Sequence, residues 1–281
     1  MSLRLSVYGQ GLHDHSLLSV LAESCLADQV EQRTPDTADF LGDLVEASPL
    51  FAAVCEAAEL DYALLPANCR FADFGLLVSD MDSTLIEVEC IDELADMLGI
   101  KAQVAAITER SMRGELDFAA SLTERVALLK GLPASALDEV YEQRIRLTRG
   151  AETLLAACQQ HQVKFLLISG GFTFFTERLK QRLGLDYAVA NTLEIVDGHL
   201  TGRILGPIID AQAKADYLHR TADELGLSSA QTLAIGDGAN DLKMIAAAAL
   251  GIAFHAKPVV AEQADMAIRF GGLEALPKLL G

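Results

Sequence analysis

The sequence has few cysteines, and their spacing excludes two kinds of structural site. Its five cysteines are Cys25, Cys55, Cys69, Cys90 and Cys158, and no two of them form a CxxC pair. An odd number of scattered cysteines fits neither a disulfide framework nor a zinc site. We therefore expect reduced thiols in a cytoplasmic protein.

Long hydrophobic runs and positive charge are also scarce. The longest apolar run, MIAAAALGIAF at residues 244–254, falls well short of the roughly 20 residues that a membrane span needs. No basic-then-apolar leader opens the sequence, so we expect no secretory signal. The 281 residues include 40 acidic and 22 basic ones, for a net charge of −18 at pH 7. This charge argues against nucleic acid and against anionic membranes as partners, and an anionic ligand would need a locally positive site.

From about residue 76, short apolar segments alternate with longer segments of helical periodicity. The apolar segments GLLVSD, KFLLISGG, AVAN, TLAIGD and LGIAF are predicted strands. Apolar strands that are each followed by a helix are typical of an α/β fold, in which helices cover both faces of a parallel sheet. The turn Asp197-Gly198 within LEIVDGHLTGRI predicts a β-hairpin. Residues from about 90 to 148 show only helical patterns, which predicts a helical cap inserted over the site.

The first 72 residues are less regular. LRLSVYGQ predicts a strand, DHSLLSVLAESCLA predicts a helix, and QVEQRTPDTADF predicts a polar loop, with room for a second αβ unit after it. We predict an N-terminal α+β segment at residues 1–72, followed by a second domain at residues 73–281 that contains the cap.

Two of the three polar clusters that follow predicted strands are rich in aspartate. Asp80 and Asp82 of DMDST share one side of an extended chain because they are two residues apart. Such a pair alone is more often a solvated strand end, and Asp237 and Asp241 of GDGAND alone would fit a helix start. Ligands of parallel sheets bind beyond the carboxyl ends of the strands, so the four aspartates are expected to meet there. Together they require a cation, and an all-oxygen set favours Mg²⁺.

The third cluster, SGGF at residues 169–172, offers groups that can hold an anion. Ser169 supplies a hydroxyl, and Gly170-Gly171 let backbone N–H groups approach closely, although a plain strand-to-helix turn would look the same. The sequence has no GxGxxG and no GxxxxGK[ST] motif, which excludes dinucleotide and P-loop sites. Lys214 is a nearby cation whose position a bound phosphate would explain. A metal-held aspartate beside a phosphate can attack phosphorus, and a second carboxyl can then move the proton.

In order and spacing, DMDST, SGGF, Lys214 and GDGANDL resemble the haloacid dehalogenase superfamily of phosphatases. The segments ECIDE, MRGELDFAASLTERV, DAQAK and GIAFHAKP are further similar to bacterial members that hydrolyse O-phosphoserine, over about residues 76–272. The resemblance implies a Rossmann-like parallel core with an inserted helical cap, a Mg²⁺ cofactor, and O-phosphoserine as the small-molecule phosphate monoester. Related bacterial enzymes often begin with an ACT-like regulatory domain. Residues 1–72 look short for one, so a degenerate ACT-like sensor and a packing or dimerising appendage both stay open.

The resemblance also implies a role for each matching position in the core. Asp80 would be the nucleophile and Asp82 the general acid/base. Mg²⁺ would be held by the carboxylates of Asp80 and Asp237 and by the backbone carbonyl of Asp82, with Asp241 in a supporting position. The groups expected to hold the phosphoryl group or lie close to the substrate are Ser169, the Gly170 amide, Lys214 and Asn240.

Substrate choice would rest on the cap. By resemblance, Glu89 would bind the ammonium group of the substrate and Arg125 its carboxylate, for which a guanidinium fork is better suited than lysine. Met112 and Phe118 would line the pocket. Without the resemblance, such residues are more often a helix-start acid, a surface cation and cap core. A phosphatase of different substrate range, a phosphotransferase and a non-catalytic sensor are the alternatives, and the sequence leaves the oligomeric state open.

Overall fold

The structure is a computed structural model that describes residues 2–43, 46–113 and 115–281, except for the side chain of Met112. The strands in this part are β1 (Leu3–Tyr8), β2 (Gln29–Thr34), β3 (Thr37–Leu41), β4 (Asp61–Pro66), β5 (Leu76–Ser79), β6 (Lys164–Phe172), β7 (Tyr187–Val196), β8 (His199–Leu205), β9 (Thr232–Gly236), β10 (Leu250–Phe254) and β11 (Met266–Ile268). They form one sheet in the order β2-β3-β1-β4-β11-β10-β9-β5-β6-β7-β8.

Helices cover this sheet and form the cap. They are α1 (His15–Cys25), α2 (Pro49–Ala57), α3 (Cys90–Met97), α4 (Lys101–Met112), α5 (Phe118–Ala127), α6 (Ser135–Gln143), α7 (Ala151–His161), α8 (Thr173–Leu183), α9 (Ala211–Glu224), α10 (Leu242–Ala247), α11 (Pro258–Ala261) and α12 (Ala275–Leu280). Within the described part of the chain, none of them combines the length and the apolar character needed to cross a membrane.

The N-terminal part folds as a βαββαβ unit. Its four strands pair antiparallel in the order β2-β3-β1-β4. Leu5, Val7 and Phe40 pack in one cluster with residues of α1 and α2. On the opposite side of β1, Ser6 donates a hydrogen bond to the carbonyl of Leu279 at the end of α12 (2.7 Å). The division at residue 72 stays a prediction, and the sheet itself continues from β4 into β11.

One sequence expectation in this unit is wrong. QVEQRTPDTADF is not a polar loop, because it forms the hairpin of β2 and β3. Strand β2 lies at the edge of the sheet with most of its residues exposed, so polar side chains are compatible with it. The residues of β3 are buried apart from Leu41. The strand character of this segment therefore comes from pairing with β1, a contact that is distant in sequence.

The core that follows is an α/β sheet with helices on both faces, as predicted. Strands β11, β10, β9, β5, β6 and β7 run parallel, and β8 returns antiparallel after the predicted turn at Asp197-Gly198. Both turn residues have positive φ (49° and 74°), which matches a tight hairpin turn. From β5 the chain continues to β6 and β7 on one side, whereas β9 and β10 lie on the other. Such a reversal opens a crevice at the carboxyl end of the central strand.

The predicted cap consists of α3 to α6 and is inserted between β5 and α7. The two chain segments that enter and leave it pair with each other at Ile86 and Leu147. At its far end the cap pairs with the β7–β8 hairpin, where Gly131 N donates to the Leu200 carbonyl (2.8 Å). An ion pair between Asp138 of α6 and Arg178 of α8 (2.6 Å) adds a further link to the core. These contacts hold the cap above the crevice at β5.

Candidate active site

The carboxyl ends of three neighbouring strands bring together the predicted site residues of the core. Asp80 follows β5 directly, Asp237 follows β9, and Ser169 lies near the end of β6. Because β9, β5 and β6 are adjacent and parallel, residues that follow them lie at one edge of the sheet. Asp80 is only 4% exposed, and Oδ1 of its carboxylate accepts a hydrogen bond from the backbone N–H of Met81 (2.7 Å).

The chain reverses sharply after Asp80 and places Asp82 between two elements. Ser83 adopts a left-handed conformation (φ 55°), which is uncommon for a residue other than glycine. Oδ1 of Asp82 accepts from the backbone N–H of Cys90 at the start of α3 (2.8 Å), and Oδ2 accepts from the Ser169 hydroxyl (3.1 Å). Asp82 therefore connects the loop after β5 with the start of the cap and with β6.

The environment of Asp82 suits proton transfer near neutral pH. Burial, together with the negative charges of Glu89 and Asp80, raises the pKa of Asp82 to about 7. A carboxyl group with such a pKa can hold a proton for a leaving group and can take one from water. The neighbouring carboxylate of Asp80 is paired with a cation.

That cation is Lys214, which is buried within the first turn of α9. Its Nζ lies 2.9 Å from Oδ2 of Asp80 and 2.7 Å from Oδ1 of Asp241. Burial disfavours the charge on Lys214, but the attraction of Asp241 and Asp80 outweighs it and raises the pKa of the lysine above its ordinary value. Lys214 is thus a permanent positive charge beside the Asp80 carboxylate.

Three carboxylates crowd around this point and could hold a metal ion. Oxygen atoms of Asp80, Asp237 and Asp241 lie within 4.8 Å of one another. Burial and the charge of Asp80 raise the pKa of Asp237 to about 7 and that of Asp241 to about 8. A cation would relieve this repulsion, and a set of carboxylate oxygens fits a hard divalent ion. Thr84 donates to Oδ1 of Asp237 (3.2 Å), which orients that carboxylate.

The SGGF segment faces this cluster with closely packed backbone. The N–H of Gly171 donates to the Ser169 hydroxyl oxygen (2.8 Å). A Cβ added at Gly170 would lie 2.7 Å from Cζ of Phe118, and one at Gly171 would lie 2.8 Å from Oδ2 of Asp82. Neither position therefore has room for a side chain. Glycine is required at both because neighbouring side chains approach the backbone closely.

The predicted cap residues lie around the same point. Glu89 accepts a hydrogen bond from the Ser83 hydroxyl (2.7 Å), and burial together with the charge of Asp80 raises its pKa. Burial lowers the pKa of Arg125, while the charges of Asp92 and Glu89 act in the opposite direction. Arg125 lies in α5, and its Nε donates a long bond to the carbonyl of Ser121 (3.3 Å).

Of the two remaining predicted residues, the structure describes the side chain of Asn240 but not that of Met112. Asn240 donates from Nδ2 to Oδ2 of Asp80 (3.3 Å), so it lies next to the carboxylate expected to react. The side chain of Met112 lies outside the described residues, and its place in the pocket stays a prediction.

Sequence reasoning assigned no role to Asn191, which the structure connects to the site. Asn191 lies in β7, is 1% exposed, and donates to the backbone carbonyl of Gly170 (2.8 Å). AVAN shows only an amide after three apolar residues in a predicted strand, which would look the same at an ordinary strand end. The contact of Thr84 with Asp237 likewise depends on the fold, because the two residues are 153 positions apart in the sequence.

Comparison with known proteins points to one family. Residues 77–246 match the haloacid dehalogenase-like hydrolases. The phosphoserine phosphatase of Polaromonas sp. strain JS666 is 52% identical over 218 residues, which cover 76% of this chain and 92% of that protein. A hydrolase of the haloacid dehalogenase family from Salmonella enterica serovar Typhi has a TM-score of 0.90 at 34% identity, over 99% of this chain and 98% of that one. A probable phosphoserine phosphatase from Vibrio cholerae, in unliganded form, has a TM-score of 0.84 at 39% identity, over 99% and 86% of the two chains.

Proposed function

This chain belongs to the haloacid dehalogenase-like hydrolases, and on that premise we propose that it is a phosphatase that converts O-phosphoserine to serine and inorganic phosphate. The reaction is the last step of serine biosynthesis. The observation that carries the proposal is the buried Asp80 carboxylate, which lies 2.9 Å from Lys214 at the carboxyl end of the central strand and beneath the cap. The five free cysteines suit a cytoplasmic location.

The first half of the reaction transfers the phosphoryl group to Asp80. An oxygen of Asp80 forms a bond to phosphorus while the bond between phosphorus and the serine oxygen breaks. Asp82 gives its proton to the departing serine oxygen, as its pKa of about 7 allows. Lys214, Ser169 and the Gly170 amide hold the phosphoryl oxygens during this transfer.

The second half regenerates the enzyme. A water molecule attacks the phosphorus of the aspartyl phosphate, and Asp82, now ionised, takes a proton from that water. The bond between Asp80 and phosphorus breaks, and inorganic phosphate leaves with the oxygen from water. Asp82 ends the cycle protonated, as it began.

The proposed cofactor is Mg²⁺, and the carboxylate oxygens at the site fit it. The carboxylates of Asp80 and Asp237 and the backbone carbonyl of Asp82 would hold the ion. When bound, it supplies positive charge that offsets the charge of the phosphoryl oxygens. Asp241 holds Lys214 in place, since its Oδ1 contacts Nζ (2.7 Å) and its Oδ2 accepts from the Gly238 N–H (3.1 Å).

The cap supplies the selectivity for phosphoserine. Glu89 binds the ammonium group and Arg125 binds the carboxylate, while Phe118 lines the pocket between them, where Met112 is predicted to lie as well. Phe118 lies directly against Gly170 of the SGGF segment. The cap residues and the residues that hold the phosphoryl group therefore face one substrate. A phosphate ester without the ammonium and carboxylate groups would contact the residues that hold the phosphoryl group but would not use Glu89 or Arg125.

A phosphate-release assay tests the proposal. The purified protein is given O-phosphoserine, phosphothreonine, phosphoethanolamine and sugar phosphates, with Mg²⁺ or with EDTA. We expect Mg²⁺-dependent release that is fastest for O-phosphoserine by about tenfold or more. Faster release from a sugar phosphate would favour a phosphatase of different range. Phosphate that appears on an added alcohol instead of in solution would favour a phosphotransferase.

A further inference from the structure

Asn191 is a buried amide whose side chain joins two segments of the phosphate site. Its Nδ2 donates to the carbonyl of Gly170 (2.8 Å), and its Oδ1 accepts from the backbone N–H of Ile209 (2.8 Å). Because one partner is a carbonyl and the other an N–H, only one orientation of the amide satisfies both. Gly170 belongs to the SGGF segment, and Ile209 lies just before α9.

On the SGGF side, Asn191 fixes the plane of one peptide group. In a trans peptide, the C=O of one residue and the N–H of the next point in opposite directions. The carbonyl of Gly170 points to Asn191, so the N–H of Gly171 points away from it, toward the hydroxyl oxygen of Ser169 (2.8 Å). A peptide between two glycines rotates with little steric resistance, because neither residue has a Cβ. It therefore needs a restraint from outside, and Asn191 supplies one.

This peptide in turn sets the direction of the Ser169 hydroxyl. The oxygen of Ser169 already accepts a bond from Gly171, which leaves its own proton to be donated elsewhere. In the structure that proton goes to Oδ2 of Asp82 (3.1 Å), and on the proposed function it would go to a phosphoryl oxygen of the bound substrate. A rotated peptide would remove the N–H from the Ser169 oxygen and turn a carbonyl oxygen toward it, and this carbonyl would then compete for the hydroxyl proton.

On the α9 side, Asn191 fixes the start of the helix that carries Lys214. Ile209 precedes Asp210, whose side chain caps α9 by accepting from the N–H of Ala213 (2.8 Å). The N–H of Lys214 bonds to the carbonyl of Asp210 (3.0 Å), so the lysine is in the first turn after the cap. A shift of Ile209 would move the base of Lys214 with it.

We propose that Asn191 is a positioning residue that holds the Gly170-Gly171 peptide and the start of α9 as one phosphate-binding unit. The proposal rests on the proposed function, because it assigns the phosphoryl group to Ser169, Gly170 and Lys214. Asn191 itself touches no reacting atom. It acts through the direction of two backbone groups.

A plain structural role is the competing explanation. The pairing of β6 with β7 is irregular between Ile168 and Phe172, so the Gly170 carbonyl needs some partner when buried. A side chain that only satisfies this carbonyl would affect stability and leave phosphate affinity unchanged. The test must therefore measure both quantities.

Thr232 offers a matched control at the opposite end of the sheet. It is fully buried, its hydroxyl donates to the carbonyl of Ser229 (3.0 Å), and the hydroxyl oxygen accepts from the N–H of Ala249 (3.1 Å). Like Asn191, it links two backbone segments through one donated and one accepted bond. It pairs with Leu76 at the start of β5, far from the carboxyl ends of the strands.

The experiment compares Asn191→Asp and Thr232→Val with the wild-type protein. Aspartate keeps an oxygen for Ile209 but cannot donate to Gly170. Titration calorimetry with inorganic phosphate and Mg²⁺ gives the affinity, and thermal unfolding gives the stability. We expect the Kd for phosphate to rise about tenfold or more in Asn191→Asp and to stay within about twofold in Thr232→Val, at comparable losses of Tm. An unchanged Kd in Asn191→Asp, or equal losses in both variants, would overturn the proposal.

A second measurement needs no variant. In the wild-type protein without phosphate, hydrogen exchange should show the Gly171 amide protected by about a hundredfold or more. Exchange at the rate of an unstructured amide would mean that the peptide is free to rotate, which would contradict the proposal.

Phosphate binding also separates the proposed function from the proposed role of Asn191. A wild-type protein that binds phosphate but does not hydrolyse O-phosphoserine would refute the proposed function and leave the role of Asn191 to be decided by these data.

Discussion

The side-chain nitrogen of Lys214 lies 2.9 Å from Oδ2 of Asp80. Both side chains are almost completely buried, and Asp241 holds the same nitrogen from the other side. Breaking such a pair on one side leaves an uncompensated buried charge, which is costly to a protein. The pairing places a positive charge beside the proposed nucleophile, where the phosphoryl oxygens of a substrate would arrive.

Replacing the proposed nucleophile should abolish turnover while the protein stays folded. Asp80→Asn keeps the shape of the side chain and an oxygen for Lys214, but an amide does not attack phosphorus. We expect the rate of phosphate release to fall by about 10⁴-fold or more, with the far-UV circular dichroism spectrum unchanged. Asp96→Asn, at a half-exposed carboxylate of the cap, is the matched control and should keep normal activity. Activity of Asp80→Asn near the wild-type level would contradict the aspartyl-phosphate route.

Removing the guanidinium of Arg125 should affect only substrates that carry a carboxylate. We expect Arg125→Ala to lower kcat/KM for O-phosphoserine by about 30- to 1,000-fold, or about 2–4 kcal/mol. The value for phosphoethanolamine, which lacks the carboxylate, should change little. Arg110→Ala is the control, because Arg110 forms an exposed ion pair with Glu124 in the same cap (2.8 Å). Equal losses on both substrates would show that Arg125 supports the cap and does not bind the carboxylate.

The contact between Phe118 and Gly170 predicts a steric effect that a second substitution relieves. A Cβ at Gly170 would lie 2.7 Å from Cζ of Phe118, which is closer than carbon atoms pack. Gly170→Ala should therefore push the cap away from the SGGF segment and lower kcat/KM by about 10- to 100-fold. Adding Phe118→Ala should recover part of this loss, measured as a coupling energy in a double-mutant cycle. Additive losses would mean that the two residues do not meet during catalysis.

The crowded carboxylates predict a stability that falls with rising pH when the metal is removed. The pKa values are about 7 for Asp82 and Asp237 and about 8 for Asp241, whereas an unfolded aspartate has a pKa of about 3.9. Between these values the folded protein binds more protons than the unfolded one, so the free energy of unfolding decreases as pH rises. In EDTA, urea unfolding should give a lower stability at pH 8 than at pH 5.5. Mg²⁺ should reduce that difference, and a stability that rises with pH in EDTA would contradict the assignment.

Much of the fold was predictable because its signals are local. The apolar segments before Asp80 and Asp237 can each be recognised as a strand from their own residues. A polar cluster after such a strand indicates the functional edge of the sheet. The Asp197-Gly198 turn likewise depends only on neighbouring residues. The family and the α/β fold with an inserted cap are confirmed, while the roles of individual site residues stay predictions.

The features that sequence reasoning missed depend on contacts between distant segments. Strand β2 is polar and exposed, and it is a strand because β3 pairs with it and with β1. Asn191 acquires its place from Gly170 and Ile209, which lie 21 and 18 residues away in the sequence. No local pattern distinguishes such an asparagine from one at a strand end, because its partners are known only when the fold is known.

The most direct test is to trap the intermediate on Asp80. The wild-type protein is mixed with O-phosphoserine and Mg²⁺, stopped in acid within milliseconds, and digested for mass spectrometry. We predict a phosphoryl group on the peptide that contains VSDMDSTL, at Asp80 and not at Asp82, and none in Asp80→Asn. A phosphoryl group on any other residue, or rapid turnover with no phosphorylated peptide at any time point, would contradict the account.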